Sequence, residues 1–159
     1  MLGITMSNLG QSGKNEHKHI LTISITCLIF FILDRIFKYL AIVGKISYRR
    51  NFGIAFSINI PEQLSYYYIA ILLIILFFLL WQTAKAIKRG YWLLVTGYWL
   101  LLLGAISNLI DRLKFGYIID YINFDFFYNN LADIMIGAGA IILITYQLWL
   151  KKKTPHFYN

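Results

Sequence analysis

At 159 residues the chain has the length of one domain. Hydrophobic residues make up 59% of it and charged residues 14%, a balance that excludes an ordinary soluble fold and indicates a chain solvated largely by lipid. The formal charge of +8 does not indicate a nucleic-acid partner, because Lys and Arg flank apolar segments instead of forming a continuous basic stripe. The single cysteine, Cys27, excludes an intramolecular disulfide and a cysteine cluster for zinc.

Residues 1–18 are polar, contain Gly and Ser and show no periodicity, so they are expected to form a mobile tail, with residues 19–159 as one membrane domain. The first apolar run spans about residues 20–43 and is too long for a simple cleavable signal peptide. Three more follow, at about 64–84, 91–110 and 132–150. Each approaches the roughly 20 residues that cross the hydrocarbon layer. Both prolines, Pro61 and Pro155, lie outside the spans. The expected fold is therefore a mainly α integral membrane bundle of four transmembrane helices.

An even number of spans puts both termini on one side. That side carries Lys14, Lys18, Lys85, Lys88, Arg89, Lys151, Lys152 and Lys153, against Lys45, Arg49, Arg50, Arg112 and Lys114 on the other. The bias predicts cytoplasmic termini. Glu62, Asp111, Asp120, Asp125 and Asp133 then fall on the outer side. Residues 45–60 and 114–124 are rich in β-branched and aromatic residues, which predicts short strands over the outer surface. Tyr66, Tyr67, Tyr68, Trp81, Tyr91, Trp92 and Trp149 sit at span ends, where aromatic rings anchor at the headgroup level.

Ionisable groups inside a span are costly unless paired or facing a wet cavity. Asp34 and Lys38 are four apart in the first span and share a helix face, so they can pair while Arg35 points elsewhere or snorkels. A structural ion pair and a polar wall beside a site fit equally well. Asn108, Asp111 and Arg112 lie on one face at the outer end of the third span, where simple helix termination is the plainer alternative. Asn130 is a good N-cap for the fourth, with Asp133 three residues later in the acidic position of a capping box. Asp120, inside Tyr117-Ile118-Ile119-Asp120-Tyr121, has no capping role.

Threading these segments puts Asp34, Asn51, Asn108, Arg112, Asp120, Asn130 and Asp133 at one depth, near the outer interface. Two carboxylates that approach closely share one proton, so one can activate water while the other polarises a carbonyl. Asp120 and Asp133 are candidates for that pair. The histidines, His17, His19 and His156, fall on the cytoplasmic side and offer no serine–histidine arrangement.

The chain resembles the lipoprotein signal peptidases, also called type II signal peptidases, across residues 34–139. The resemblance rests on Asp34 and Lys38, on Asn51-Phe52-Gly53-Ile54-Ala55-Phe56, on Gly104-Ala105-Ile106-Ser107-Asn108-Leu109-Ile110-Asp111-Arg112, on Gly116-Tyr117-Ile118-Ile119-Asp120-Tyr121, and on Asn130-Leu131-Ala132-Asp133 with Gly139 beyond. It implies a four-helix enzyme of the bacterial inner membrane with an outer β-rich platform. Such an enzyme is an aspartyl endopeptidase that cuts prolipoproteins before a diacylglyceryl-modified cysteine, without metal or organic cofactor. It implies Asp120 and Asp133 as the catalytic pair. Asp34, Lys38, Asn51, Gly53, Asn108, Asp111, Arg112 and Asn130 would line or support the site. The expected partners are prolipoprotein substrates and membrane lipids, and the expected state is a monomer. Two departures stand out: Leu103 and Ser107 occupy positions where the family usually has glycine, which suggests looser or differently seated helix packing, and only twelve residues separate Asp120 from Asp133.

Two other functions fit parts of the pattern. An ion relay through Asp34, Arg35 and Lys38 would make a small transporter, but it would need polar groups along the whole path. A lipid-modifying enzyme could use Asp111, Asp120, Asp125 and Asp133 as oxygen ligands for magnesium, and a chelator would reveal it.

Overall fold

Among the described residues, four stretches are long and apolar enough to cross a membrane, Lys18–Ile42, Ile69–Lys88, Trp92–Phe115 and Leu131–Lys152, and in the computed structural model each lies in a helix. The structure describes residues 6–53 and 65–153, with side chains from 18 to 53, at 67, and from 69 to 152. The helices are α1 (Met6–Ile42), α2 (Ser65–Lys88), α3 (Trp92–Phe115) and α4 (Leu131–Lys153). All overrun the expected spans at one end or both. Helix α2 runs past residue 84 to Lys88 and α3 past residue 110 to Phe115, because a formed helix gains a hydrogen bond with each added residue until the chain turns. For the same reason α1 continues back to Met6, into the segment expected as a tail. Helix α3 stops at Gly116, whose φ of 77° needs no Cβ and whose N–H donates to the Arg112 carbonyl at 3.0 Å.

Among the described residues, the segments between helices carry four short strands: β1 (Arg49–Asn51), β2 (Ile118–Asp120), β3 (Ile122–Asn123) and β4 (Tyr128–Asn129). Strands β1 and β2 pair antiparallel in the register Arg49↔Asp120, Arg50↔Ile119, Asn51↔Ile118. The Arg50 guanidinium lies 5.2 Å over the Tyr117 ring, and Phe52 packs on the same ring. Short strands expected within 45–60 and 114–124 are present as β1, β2 and β3, while Lys114 and Phe115 belong to α3 and residues 54–60 lie outside the described residues. A second antiparallel pair, β3 with β4, fills the short connection between Asp120 and Asp133. Its turn is closed by Asp125 in the left-handed region (φ 60°), with the Asp125 N–H donating to Asn123 Oδ1.

Helix α3 is the centre of the bundle: 44% of its most apolar window is buried, against 11–17% in the other three. Leu76 and Leu79 of α2 pack with Leu102 and Leu109 of α3 to form an apolar layer. On the opposite face α3 and α4 come into backbone contact. A Cβ on Gly104 would lie 2.6 Å from the Ala132 carbonyl oxygen, and one on Gly139 would lie 2.7 Å from the Gly97 carbonyl oxygen. Small residues that let backbones approach are the usual means of packing helices in lipid, where apolar burial between helices gains little. Large apolar side chains point outward instead, Phe77 at 75% and Ile141 at 66% exposure among them. The buried interior is polar: Asp34, Lys38, Ser107, Asp111 and Asn130 are all fully enclosed. Gly104 makes the close approach, and Ser107 is buried in the polar interior.

Candidate active site

Helix α1 contributes three charges to the interior. Lys38 Nζ lies 3.1 Å from Asp34 Oδ2 and 2.8 Å from Asp111 Oδ2 of α3. Arg35, expected to point away, instead donates to Asp111 Oδ1 at 2.6 Å and to the Ser107 carbonyl at 3.2 Å. The reason is charge balance: two buried carboxylates need two cations, and Lys38 alone cannot neutralise both. Ser107 joins the cluster by donating to Asp34 Oδ2 at 2.5 Å. Asp111 also accepts the Ile119 N–H, which ties strand β2 to the bundle.

Strand β2 delivers Asp120 and the first turn of α4 delivers Asp133. Three asparagines aim amide nitrogens at these two carboxylates. Asn51 donates to Asp120 Oδ2 at 3.0 Å, Asn108 donates to Asp133 Oδ1 at 2.7 Å, and Asn130 reaches both, at 2.6 Å from Asp120 Oδ1 and 3.3 Å from Asp133 Oδ2. In each case the amide oxygen is held by a donor that sets its orientation. Asn51 Oδ1 accepts the Gly53 N–H, Asn108 Oδ1 accepts Lys38 Nζ at 2.9 Å, and Asn130 Oδ1 accepts the Asp133 N–H at 2.9 Å. An amide cannot turn its NH₂ away without facing a donor with a donor. The buried ion cluster therefore acts on the carboxylates through Asn108.

The last of these contacts is the expected N-cap of α4. The capping box is not completed, because the Asp133 carboxylate turns to Asn108 and Asn130 and leaves the Asn130 N–H to Asn129 Oδ1. Burial pushes the Asp120 carboxyl up to about 6, opposed by the Asn130 and Asn51 amides and reinforced by the nearby Asp133 charge. Asp120 is 2% exposed, whereas Asp133 and Arg112 are half-buried. Arg112 donates to the Gly53 carbonyl at 2.6 Å and so holds the chain leaving β1 beside Asp120.

All ten of the expected site residues lie in this connected network. Asp125 does not: it occupies the β3–β4 turn. Among the described residues no three His, Cys, Asp or Glu side chains converge as a cation site requires, and Asp111 is held by Arg35 and Lys38. Three contributors have no place in the site from the sequence: Arg35, Ser107 and Tyr121, whose hydroxyl donates to Asp34 Oδ1. Charge counting could have found Arg35. Nothing in the sequence marks the Ser107 or Tyr121 hydroxyl as facing Asp34.

The chain is similar to known proteins in sequence and in fold. The family model described as signal peptidase (SPase) II matches residues 25–149. A lipoprotein signal peptidase of Halothermothrix orenii is 36% identical over 144 residues, covering 81% of this chain and 96% of the relative. One from Sinorhizobium fredii is 34% identical over 154 residues, covering 84% and 90%. A bacterial membrane enzyme solved by the in meso method at 1.9 Å superposes with a TM-score of 0.65 at 25% identity, over 80% of this chain and 92% of that one.

Proposed function

This chain belongs to the signal peptidase II family, and from that premise we propose that it is an aspartic-type endopeptidase that removes the signal peptide from diacylglyceryl-modified prolipoproteins. It is a multi-pass bacterial membrane protein and a peptide-bond hydrolase. Asp120 and Asp133 are the catalytic pair. The observation that carries this reading is the Asn130 amide nitrogen, which stands within hydrogen-bond reach of both carboxylates.

Neighbouring carboxylates repel one another when both are ionised, so the pair keeps a single proton at working pH. The ionised member removes a proton from water as it attacks the scissile carbonyl. The protonated member donates to the carbonyl oxygen, and the proton then passes to the leaving amine. The raised Asp120 carboxyl supports this division of labour, and the reaction needs no metal. Arg112, half-buried near Asp133, carries a planar set of N–H donors of the kind that suits a substrate carbonyl.

Substrate selection rests on the lipid. Buried methylenes contribute about 0.8 kcal/mol each, so two acyl chains against the bundle dominate affinity. Both termini are cytoplasmic and the site lies at the outer face, a topology that the eight-to-five charge bias supports.

The test is single-turnover cleavage of a diacylglyceryl-modified precursor by purified Asp120→Asn and Asp133→Asn, with and without EDTA, alongside a binding assay. Each variant should lose about 100- to 10,000-fold while still binding substrate, and the double variant should be scarcely worse than either single one. Near-normal cleavage by either variant would refute the pair. Loss of wild-type activity on chelation, restored by magnesium, would establish a metal mechanism instead.

A further inference from the structure

The first N–H groups of a helix have no partner within it and must be satisfied from elsewhere. In α4 the first three go to three separate parts of the chain. The Leu131 N–H donates to the Tyr121 hydroxyl at 3.2 Å, the Ala132 N–H to Asp34 Oδ1 at 3.1 Å, and the Asp133 N–H to Asn130 Oδ1 at 2.9 Å. The Tyr121 hydroxyl in turn donates to Asp34 Oδ1 at 2.9 Å. A single oxygen therefore joins the residue immediately after Asp120 to the helix end two residues before Asp133, with α1 as the anchor. The ring stacks on Phe37 of α1 with centroids 5.4 Å apart.

We infer that Tyr121 is a positioning residue for peptide cleavage, its hydroxyl holding the head of α4, and with it Asp133, in register with Asp120. The inference rests on the reading of Asp120 and Asp133 as the catalytic pair. The geometry uses both capacities of a hydroxyl, one donated proton and one accepted, so phenylalanine can fill the space but make neither bond. Burial, with the Asp34 charge beside it, raises the pKa of Tyr121, so the donor keeps its proton wherever the enzyme works. The Asp34 carboxylate alone cannot do this task, because Oδ1 already takes the Ala132 N–H and Oδ2 takes Ser107 and Lys38.

The experiment compares Tyr121→Phe, Phe37→Leu, Asp120→Asn and Asp133→Asn in lipid nanodiscs, measuring kcat and KM on a synthetic diacylglyceryl-modified precursor peptide and the unfolding midpoint of each. Displacements of a reacting group by about 1 Å cost about 100-fold, so Tyr121→Phe should lower kcat by about 10- to 100-fold while KM changes by less than about threefold. Phe37→Leu removes the stacked ring and leaves the hydroxyl in place, so it should lower the unfolding midpoint without a comparable loss of kcat. Equal loss of kcat in both would reduce Tyr121 to a packing residue. If both aspartate variants are inactive and Tyr121→Phe turns over normally, the positioning role alone is overturned. If either aspartate variant cleaves normally, the catalytic pair fails and the positioning role with it. Failure of Tyr121→Phe to fold would make the hydroxyl a folding determinant and also overturn the inference.

Discussion

Replacing Lys38 with methionine keeps the length of the side chain and removes one charge from a balanced set of four, Asp34, Arg35, Lys38 and Asp111. The Lys38 ammonium is fully enclosed and lies 3.1 Å and 2.8 Å from two carboxylates that are themselves fully enclosed. At an effective dielectric of about 20, each contact is worth on the order of 5 kcal/mol of gross attraction, most of it offset by the several kcal/mol needed to desolvate each ion. Breaking a buried pair typically costs about 3–5 kcal/mol. The lower end applies here, because Asp34 keeps donors from Ser107, Tyr121 and Ala132, and Asp111 keeps Arg35 and the Ile119 N–H. Lys38→Met should therefore destabilise the protein by about 3 kcal/mol. It should also slow cleavage, because Asn108 Oδ1 loses the donor that turns its amide toward Asp133. The assay is SDS-titration unfolding in mixed micelles, run as a double-mutant cycle with Asp111→Asn. The double variant restores charge balance and should lose less than the sum of the two single ones. A loss below about 1 kcal/mol for Lys38→Met, or strict additivity in the cycle, would refute the argument that charge balance holds this interior together.

The pH dependence follows from the Asp120 carboxyl at about 6. In the proposed mechanism the one-proton form of the pair is the active one, so kcat/KM should fall as pH rises through that value, and Asp120→Asn should abolish this limb; an alkaline limb unchanged in residual Asp120→Asn activity would contradict it. The same raised value means that the native protein binds this proton more tightly than the unfolded chain does, so Asp120's contribution to stability is present below the ordinary carboxylate range and is lost as pH rises toward about 6. Gly104→Ala should cost about 1–3 kcal/mol, since the new Cβ would meet the Ala132 carbonyl oxygen at 2.6 Å, and backbone cannot move aside as a side chain can. Ala132 precedes Asp133, so cleavage should fall with stability. A thermal midpoint within error of wild type would show that α3 and α4 are not held in backbone contact.

Number and placement of helices were legible in the sequence, because an uninterrupted apolar stretch of the right length has few alternatives to a membrane-crossing helix. The candidate site was legible for a related reason. Asp34, Lys38, Asp111 and Asp120 are placed where an ionisable group is costly, and Asn130-Leu131-Ala132-Asp133 carries a local capping pattern whose first contact depends only on residues three apart. What the sequence could not decide is direction. Asn108, Asp111 and Arg112 share one helix face, yet they reach respectively to α4, α1 and the end of β1, and only the crossing of the helices sets which partner each one meets. Arg35 could as well have extended to the headgroups, and Tyr121 could have been one more interfacial aromatic. Both are turned inward by Asp111 and Asp34, residues 76 and 87 positions away in the chain. Local chemistry determined which residues could serve in such a site. Tertiary packing decided which of their atoms face one another, because hydrogen-bond geometry inside a bundle is set by contacts between segments that no local pattern encodes.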